Sequence, residues 1–301
     1  MALTVLLAPF SLHLVVIDGF RLPLLLVAAP LLAYLLWQKL WRRSMAMAIA
    51  VLALLAPWLA SGQIPIAGDM QQIKLIILPS SDPEALEYAV AEKPDLIFIP
   101  DFSDETDRAM GKQKAILPDP AQRPEVGAAL PELTGDYRPW ILKTSDGMAI
   151  FMRAGLGEAD DLRVREARVG SNALVVDAKL AGIDLTLATV HFTRPFPINQ
   201  FGRQVLEVRR LSAQLGAIPR PIILAGDFNA LPWSGVLDEL SEAVGATGAQ
   251  WIGTFPAWSP VKLPIDQVRV SGGLQIVSLK TGPFVGSIHL PLVAVIALPP
   301  R

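Results

Sequence analysis

Charge is divided along this chain as though two different proteins had been joined. Between Met1 and Ala60 only Asp18, Arg21, Lys39, Arg42 and Arg43 are charged, whereas charged residues recur throughout the rest. A sixty-residue stretch so poor in charge must bury its apolar surface in lipid or against other protein. Three apolar runs are visible, Ala2 to Ile17, Leu22 to Trp37 and Ser44 to Ala60, each 16 or 17 residues long. At about 1.5 Å rise per residue they stand at the short end of what spans a hydrocarbon core of roughly 30 Å. The first has no basic segment before it and no small-residue cleavage site after it, so it reads as a span, or as a segment lying in the interface beside a two-span hairpin of the later runs, and not as a signal peptide.

The sequence therefore predicts about three transmembrane helices: a membrane anchor over residues 1–61, with the lipid bilayer as partner, and a folded domain over 62–301. The loop QKLWRR carries three positive charges and no acid, which places it in the cytoplasm. Trp37, Trp41 and Trp58 stand at the run ends, where interfacial aromatics are expected. The expected location is an integral protein of a bacterial inner membrane with its domain extracytoplasmic.

After Ala60 the balance is acidic, 22 Lys plus Arg against 27 Asp plus Glu. With no cluster of basic residues, tight nonspecific DNA binding is not expected, because backbone affinity comes from neutralising phosphates. A phosphorylated small molecule or a lipid headgroup needs only a local basic contact. The chain has no cysteine, which rules out disulfides, thiolate metal sites and a cysteine nucleophile.

Beyond residue 61 short β-rich runs alternate with polar turns. Strands are predicted at 73–78, 95–99, 148–152, 172–180, 185–190, 221–226, 267–271, 274–280 and 292–298. Helices are predicted from Asp82 to Ala91 and from Asn199 to Leu215, the second on the helical recurrence of Phe201, Val205, Val208, Leu211 and Leu215. The charged, proline-rich stretch from Asp104 to Asp136 reads as a long loop. Adjacent strand pairs flanked by helices argue for one α/β domain with mixed sheets.

Chemistry concentrates at strand ends. Of the three histidines, His13 lies in an apolar run, whereas His191 and His289 adjoin strong strand candidates. In PIILAGDFNALPWS a buried strand delivers Asp227 and Asn229 two positions apart. Such a pair orients water, binds a divalent ion or contacts a phosphate oxygen, or it simply caps a strand-to-turn junction. Arg153 and Arg203 read as solvated arginines before phosphate contacts.

The strings PDLIFIPDF, TVHFTRPFP, AGDFNALPWS, PIDQVRVSG and GSIHLPLVAVIAL resemble, in order, motifs of the endonuclease/exonuclease/phosphatase superfamily, whose members are deoxyribonuclease-I-like. The resemblance runs from Ile73 to Leu298 and implies a four-layer α/β sandwich with two central, mostly antiparallel sheets, here preceded by the membrane helices. It also implies divalent-metal-dependent phosphoester hydrolysis. By that resemblance His289 is the catalytic histidine and Asp266 the carboxylate that orients it. Asp227 positions the attacking water, Asn229 contacts the phosphate, and His191 hydrogen-bonds a phosphate oxygen. Mg²⁺ or Mn²⁺ would be held by Asp101 and Asp227.

The chain departs from the family pattern on the metal side. Ile288 replaces the aspartate of a Ser-Asp-His motif, Ile77 or Leu78 stands where an asparagine belongs, and Asp101 replaces a glutamate. Gln267 replaces an aromatic residue, although its side chain should leave the opposite face of the strand. Two functions follow from the resemblance: a membrane-tethered phosphodiester or phosphomonoester hydrolase with reduced activity, or a noncatalytic descendant that binds a phosphorylated ligand, a lipid-derived ligand or a protein partner.

Overall fold

The computed structural model describes residues 21–60, 70–102, 137–142, 147–153, 155–156, 163–165, 172–218, 221–246 and 252–299. It opens with helices α1 (Arg21–Trp37) and α2 (Trp41–Ala60), which pack on each other. There the structure corrects the expected membrane anchor. Helix α1 has 17 residues, roughly 25 Å at 1.5 Å per residue, and contains Pro30. Helix α2 begins Trp-Arg-Arg-Ser, so its apolar part is shorter than the helix itself. Among the described residues no helix is long and apolar enough to cross a membrane. The expected transmembrane spans, the bilayer partner, the tethering of the domain and the inner-membrane location all rested on such helices, and none is retained. The first apolar run and the loop at 104–136 lie outside the described residues.

The domain follows as β1 (Gln72–Ile77), α3 (Pro83–Glu92), β2 (Leu96–Ile99), β3 (Tyr137–Leu142), β4 (Met148–Arg153), β5 (Arg163–Arg165), β6 (Ala173–Leu180), β7 (Ile183–His191), α4 (Phe201–Leu215), β8 (Ile222–Asp227), α5 (Asp238–Val244), β9 (Asp266–Val270), β10 (Gln275–Thr281) and β11 (Leu292–Ala297). One sheet has the order β10-β11-β1-β2-β4-β3 and the other β5-β6-β7-β8-β9. Each contains a single parallel pair, β1 with β2 and β7 with β8, among antiparallel neighbours. Each parallel pair is joined through a helix, α3 and α4 respectively, as a parallel connection requires.

Side-chain alternation then sets the layers. On β8, Ile223 and Ala225 enter the core between the sheets, while Ile222 and Leu224 pack outward with Val208, Leu211 and Leu215 of α4 and Leu240 of α5. On the other sheet Leu75 and Phe98 face inward, whereas Ile76 and Ile97 face Ala85, Leu86 and Ala89 of α3. The result is helix, sheet, sheet, helix. Strand β3, the three-residue β5 and helix α5 were not expected from the sequence.

Candidate active site at the mouth of the sandwich

The inward faces of three neighbouring strands end in polar residues. On β8 the series Ile223, Ala225 reaches Asp227; on β9 the series Val270, Val268 reaches Asp266; on β7 Leu185 and Leu187 lead through Thr189 to His191. His191 pairs with Asp227 in the parallel ladder, and Asp227 pairs with Asp266 in the antiparallel one. Directly paired residues share a sheet face, so His191, Asp227 and Asp266 form one row where the apolar core opens to a cleft.

The other sheet supplies the opposite wall. Pro79 follows β1, Pro100 and Asp101 follow β2, and Ser287, Ile288 and His289 lie in the loop before β11. These residues, with Arg194 and the polar row, line the cleft. His289 Nδ1 donates to Asp266 Oδ2 at 2.7 Å. The Thr254 hydroxyl donates to the same oxygen. Phe255 packs against the His289 ring, with centroids 4.8 Å apart. Two backbone bonds fasten the segments together, Ala257 N to Ile288 O at 2.7 Å and Leu290 N to Thr254 O at 3.0 Å. The imidazole is thus held by a carboxylate on one side and an aromatic ring on the other.

Asp227 is fixed from behind. Asn229 donates its backbone N–H to Oδ1 at 2.8 Å and its Nδ2 to Oδ2 at 3.0 Å; the same Nδ2 also donates to Phe192 O at 2.9 Å. Asn229 adopts φ 46°, a left-handed turn conformation that asparagine tolerates. Gln204 of α4 donates to Phe228 O and Asn229 O, tying the turn to the helix. Before it, Gly226 has φ 145°, and a Cβ there would lie 2.2 Å from Val190 O, so only glycine permits this approach of β7 and β8. His191 Nε2 stands 3.7 Å from Asp227 Oδ2. Its Nδ1 is buried with no hydrogen-bond partner among the described residues.

Burial and charge tune these groups. Burial first and the neighbouring Asp266 carboxylate second push Asp227 up, against the opposing effects of His289, His191 and the Asn229 N–H, and leave it at about 6. For His289, burial opposes the charged form, but the charge and hydrogen bond of Asp266, with help from Asp227, outweigh it and leave the pKa above the ordinary imidazole value.

Asp227, Asp266 and His289 offer ligand atoms that all lie within 4.8 Å of one another, a donor group of the kind that holds a divalent cation. The carboxylate-rich set suits a hard divalent cation, but with few free donors. Carboxylates of Asp101, Asp227 and Asp266 line the cleft, but Asp266 and His289 are already engaged with each other. Ile77 and Leu78 are buried in the two apolar layers flanking the first sheet, where they offer no donor. Ser80 donates its hydroxyl to Asp82 at 2.7 Å. Ile288 lines the cleft and is half exposed.

The profile of the Endonuclease/Exonuclease/phosphatase family matches residues 87–288. The chain belongs to that family. The match ends one residue before His289, which the structure nevertheless places against Asp266. Solved structures agree in fold. A functionally unknown conserved protein from Enterococcus faecalis V583 aligns with TM-score 0.55 and 14% identity over 75% of this chain and 99% of its own. The endonuclease/exonuclease/phosphatase from Bacteroides vulgatus aligns with TM-score 0.54 and 14% identity over 76% and 99%. Humanized D. rerio TDP2 aligns with TM-score 0.53 and 15% identity over 75% and 99%. No curated protein matches the chain by sequence. At such identities the likeness is one of fold, so what this family member does must be argued from its own cleft.

Six residues named from sequence meet at or directly behind this cleft: Asp101, His191, Asp227, Asp266 and His289 line it, and Asn229 braces Asp227. Gln267 points to the other face, donating to Ala230 O at 2.6 Å. Arg153 and Arg203 are engaged elsewhere, with Asp95 and Glu207. Sequence reasoning missed Thr254 and Phe255, which hold the Asp266 and His289 pair. Only the polar-aromatic pair in GTFP hints at them.

Proposed function

We propose that this domain hydrolyses phosphoesters: water attacks phosphorus as Asp227 accepts its proton, and the P–O bond to the ester oxygen breaks. The departing oxygen takes a proton from solvent, to which Asp227 later releases its own, while His289, supported by Asp266, stabilises the charge on the phosphate. The observation that carries the reading is the Asp266 to His289 hydrogen bond formed across the cleft beside the buried Asp227. A carboxyl with pKa about 6 is well matched to taking a proton near neutrality. Asn229 keeps the carboxylate fixed through two hydrogen bonds, so little reorganisation accompanies proton transfer. His289, with Nδ1 committed to Asp266, presents its other nitrogen as a donor to an oxygen gaining negative charge, and His191 and Arg194 also line the cleft as donors.

Because Asp266 and His289 of the donor group are engaged with each other, Asp227, with Asp101 from the opposite wall, would hold Mg²⁺ or Mn²⁺. When bound, such an ion polarises the phosphoryl oxygen and neutralises charge in the transition state. A D. rerio TDP2 structure of this fold is complexed with single strand DNA product. A substrate survey for this chain therefore includes an oligonucleotide beside small diesters and monoesters.

Ile288 and the buried Leu78 support a second reading, a binding protein that has lost metal chemistry. The two separate in one experiment on the full chain. Calorimetry with Mn²⁺ is paired with turnover of methyl p-nitrophenyl phosphate and p-nitrophenyl phosphate. Metal binding weakened by Asp101→Ala, with metal-dependent release of nitrophenol, supports hydrolysis. Absence of both gives the second reading.

A further inference from the structure

Most of the domain hides its large apolar side chains, and the exceptions are not scattered. Between residues 70 and 299 the large hydrophobics exposed among the described residues are Phe196, Leu206, Trp258, Val261, Phe284 and Ile288. Leu206 is on α4. The other five sit on the three loops that carry or clamp the cleft residues: 192–197 with Arg194, 252–265 with Thr254 and Phe255, and 282–291 with His289. Ile288 is itself part of the cleft wall at 50% exposure. Trp258, at 78% exposure, follows Ala257, whose N–H is bonded to the Ile288 carbonyl. Phe196 lies two residues beyond the cleft-lining Arg194 and is 53% exposed.

Exposed apolar side chains on the loops around a cleft that holds Arg194, His191 and His289 have a particular complementarity. Arg194, His191 and His289 supply hydrogen-bond donors for a phosphate in a cleft that Asp101, Asp227 and Asp266 also line, while the exposed side chains leave apolar area in water whose removal is favourable. A sugar or a polyanionic strand would desolvate polar groups against these side chains without recovering hydrogen bonds. Resting on the phosphoester reading above, we propose that the substrate is amphiphilic: a phosphoester whose phosphate sits among His191, Arg194 and His289 and whose alkyl or aryl substituent lies over Ile288 and Trp258. Ile288 is then a specificity residue, supplying apolar contact where the family pattern has a charge.

The test separates binding from catalysis. Methyl, butyl and hexyl phosphate, all monomeric in solution, are titrated into the full chain by calorimetry. From methyl to hexyl the Kd falls ~10-fold or more, since each buried methylene contributes favourably. In Trp258→Ala and Ile288→Asn the gain along the series shrinks to ~3-fold or less, and in Arg194→Ala binding of every member weakens. Equal affinity across the series in the wild-type chain overturns the proposal, as does hexyl phosphate binding that ignores Arg194→Ala, because that is adsorption on other apolar surface such as α1 and α2. Undetectable binding of all three members also overturns it. Separately, failure to turn over methyl p-nitrophenyl phosphate counts against hydrolysis and leaves the binding series to decide the ligand class.

Discussion

Asp266 opens β9 of one sheet, His289 lies in the loop before β11 of the other, and one hydrogen bond, Nδ1 to Oδ2 at 2.7 Å, joins them across the mouth of the sandwich. The bond favours the charged imidazole and fastens the loop before β11 to the start of β9. Replacing Asp266 with Asn removes the negative charge that holds the imidazolium. The His289 pKa should fall, read by NMR of the ring protons, and kcat/KM should drop ~100-fold or more.

The same pair links stability to pH. His289 is raised above its unfolded value, so its contribution is complete below the unfolded pKa of about 6.5 and is lost as pH rises through the folded pKa. Thermal unfolding of wild type and Asp266→Asn should therefore differ most below pH 6 and converge at alkaline pH.

Asp227 governs the acid side of the rate profile. It must be ionised to accept a proton, so at subsaturating Mn²⁺ activity should rise with pH through about 6. A bound divalent cation favours the carboxylate, and saturating Mn²⁺ should move that limb to lower pH. Asp227→Asn should remove the limb along with most of the activity.

Much of this architecture is legible in the sequence because its strands are buried on both faces and appear as continuous apolar runs such as LIFI and PIILAG. Strand β3, YRPWIL, escaped because an arginine and a proline interrupt it, and β5 is only three residues long. His191, Asp227 and Asp266 were readable since each ends or begins such a run, whereas Thr254 and Phe255 act through contacts made by an irregular segment. The amino-terminal runs misled for a related reason. Composition reports how apolar a segment is, but crossing a bilayer also needs uninterrupted length, and α1 and α2 fall short of the combination.

Glu207 shows how firmly the cleft loops are anchored. This buried carboxylate accepts from Thr193 N and Oγ1, Asn172 Nδ2 and Arg203 Nε. Glu207→Ala strands these donors and should cost about 3 kcal/mol in denaturant unfolding. Glu207→Gln should recover part of that loss.

Ile288→Asp restores a carboxylate to the cleft wall beside Asp227 and Asp101. Calorimetry should show Mn²⁺ affinity at least ~10-fold higher than wild type. Unchanged affinity would mean that Ile288 does not face the cation position.

The most direct test is the turnover of methyl p-nitrophenyl phosphate by the full chain in Mn²⁺, comparing wild type with His289→Ala at equal folded concentration. The account predicts metal-dependent release of nitrophenol that falls ~1000-fold in the variant. Release that is equal in both proteins, or absent from wild type, contradicts the assignment of this cleft as a hydrolytic centre.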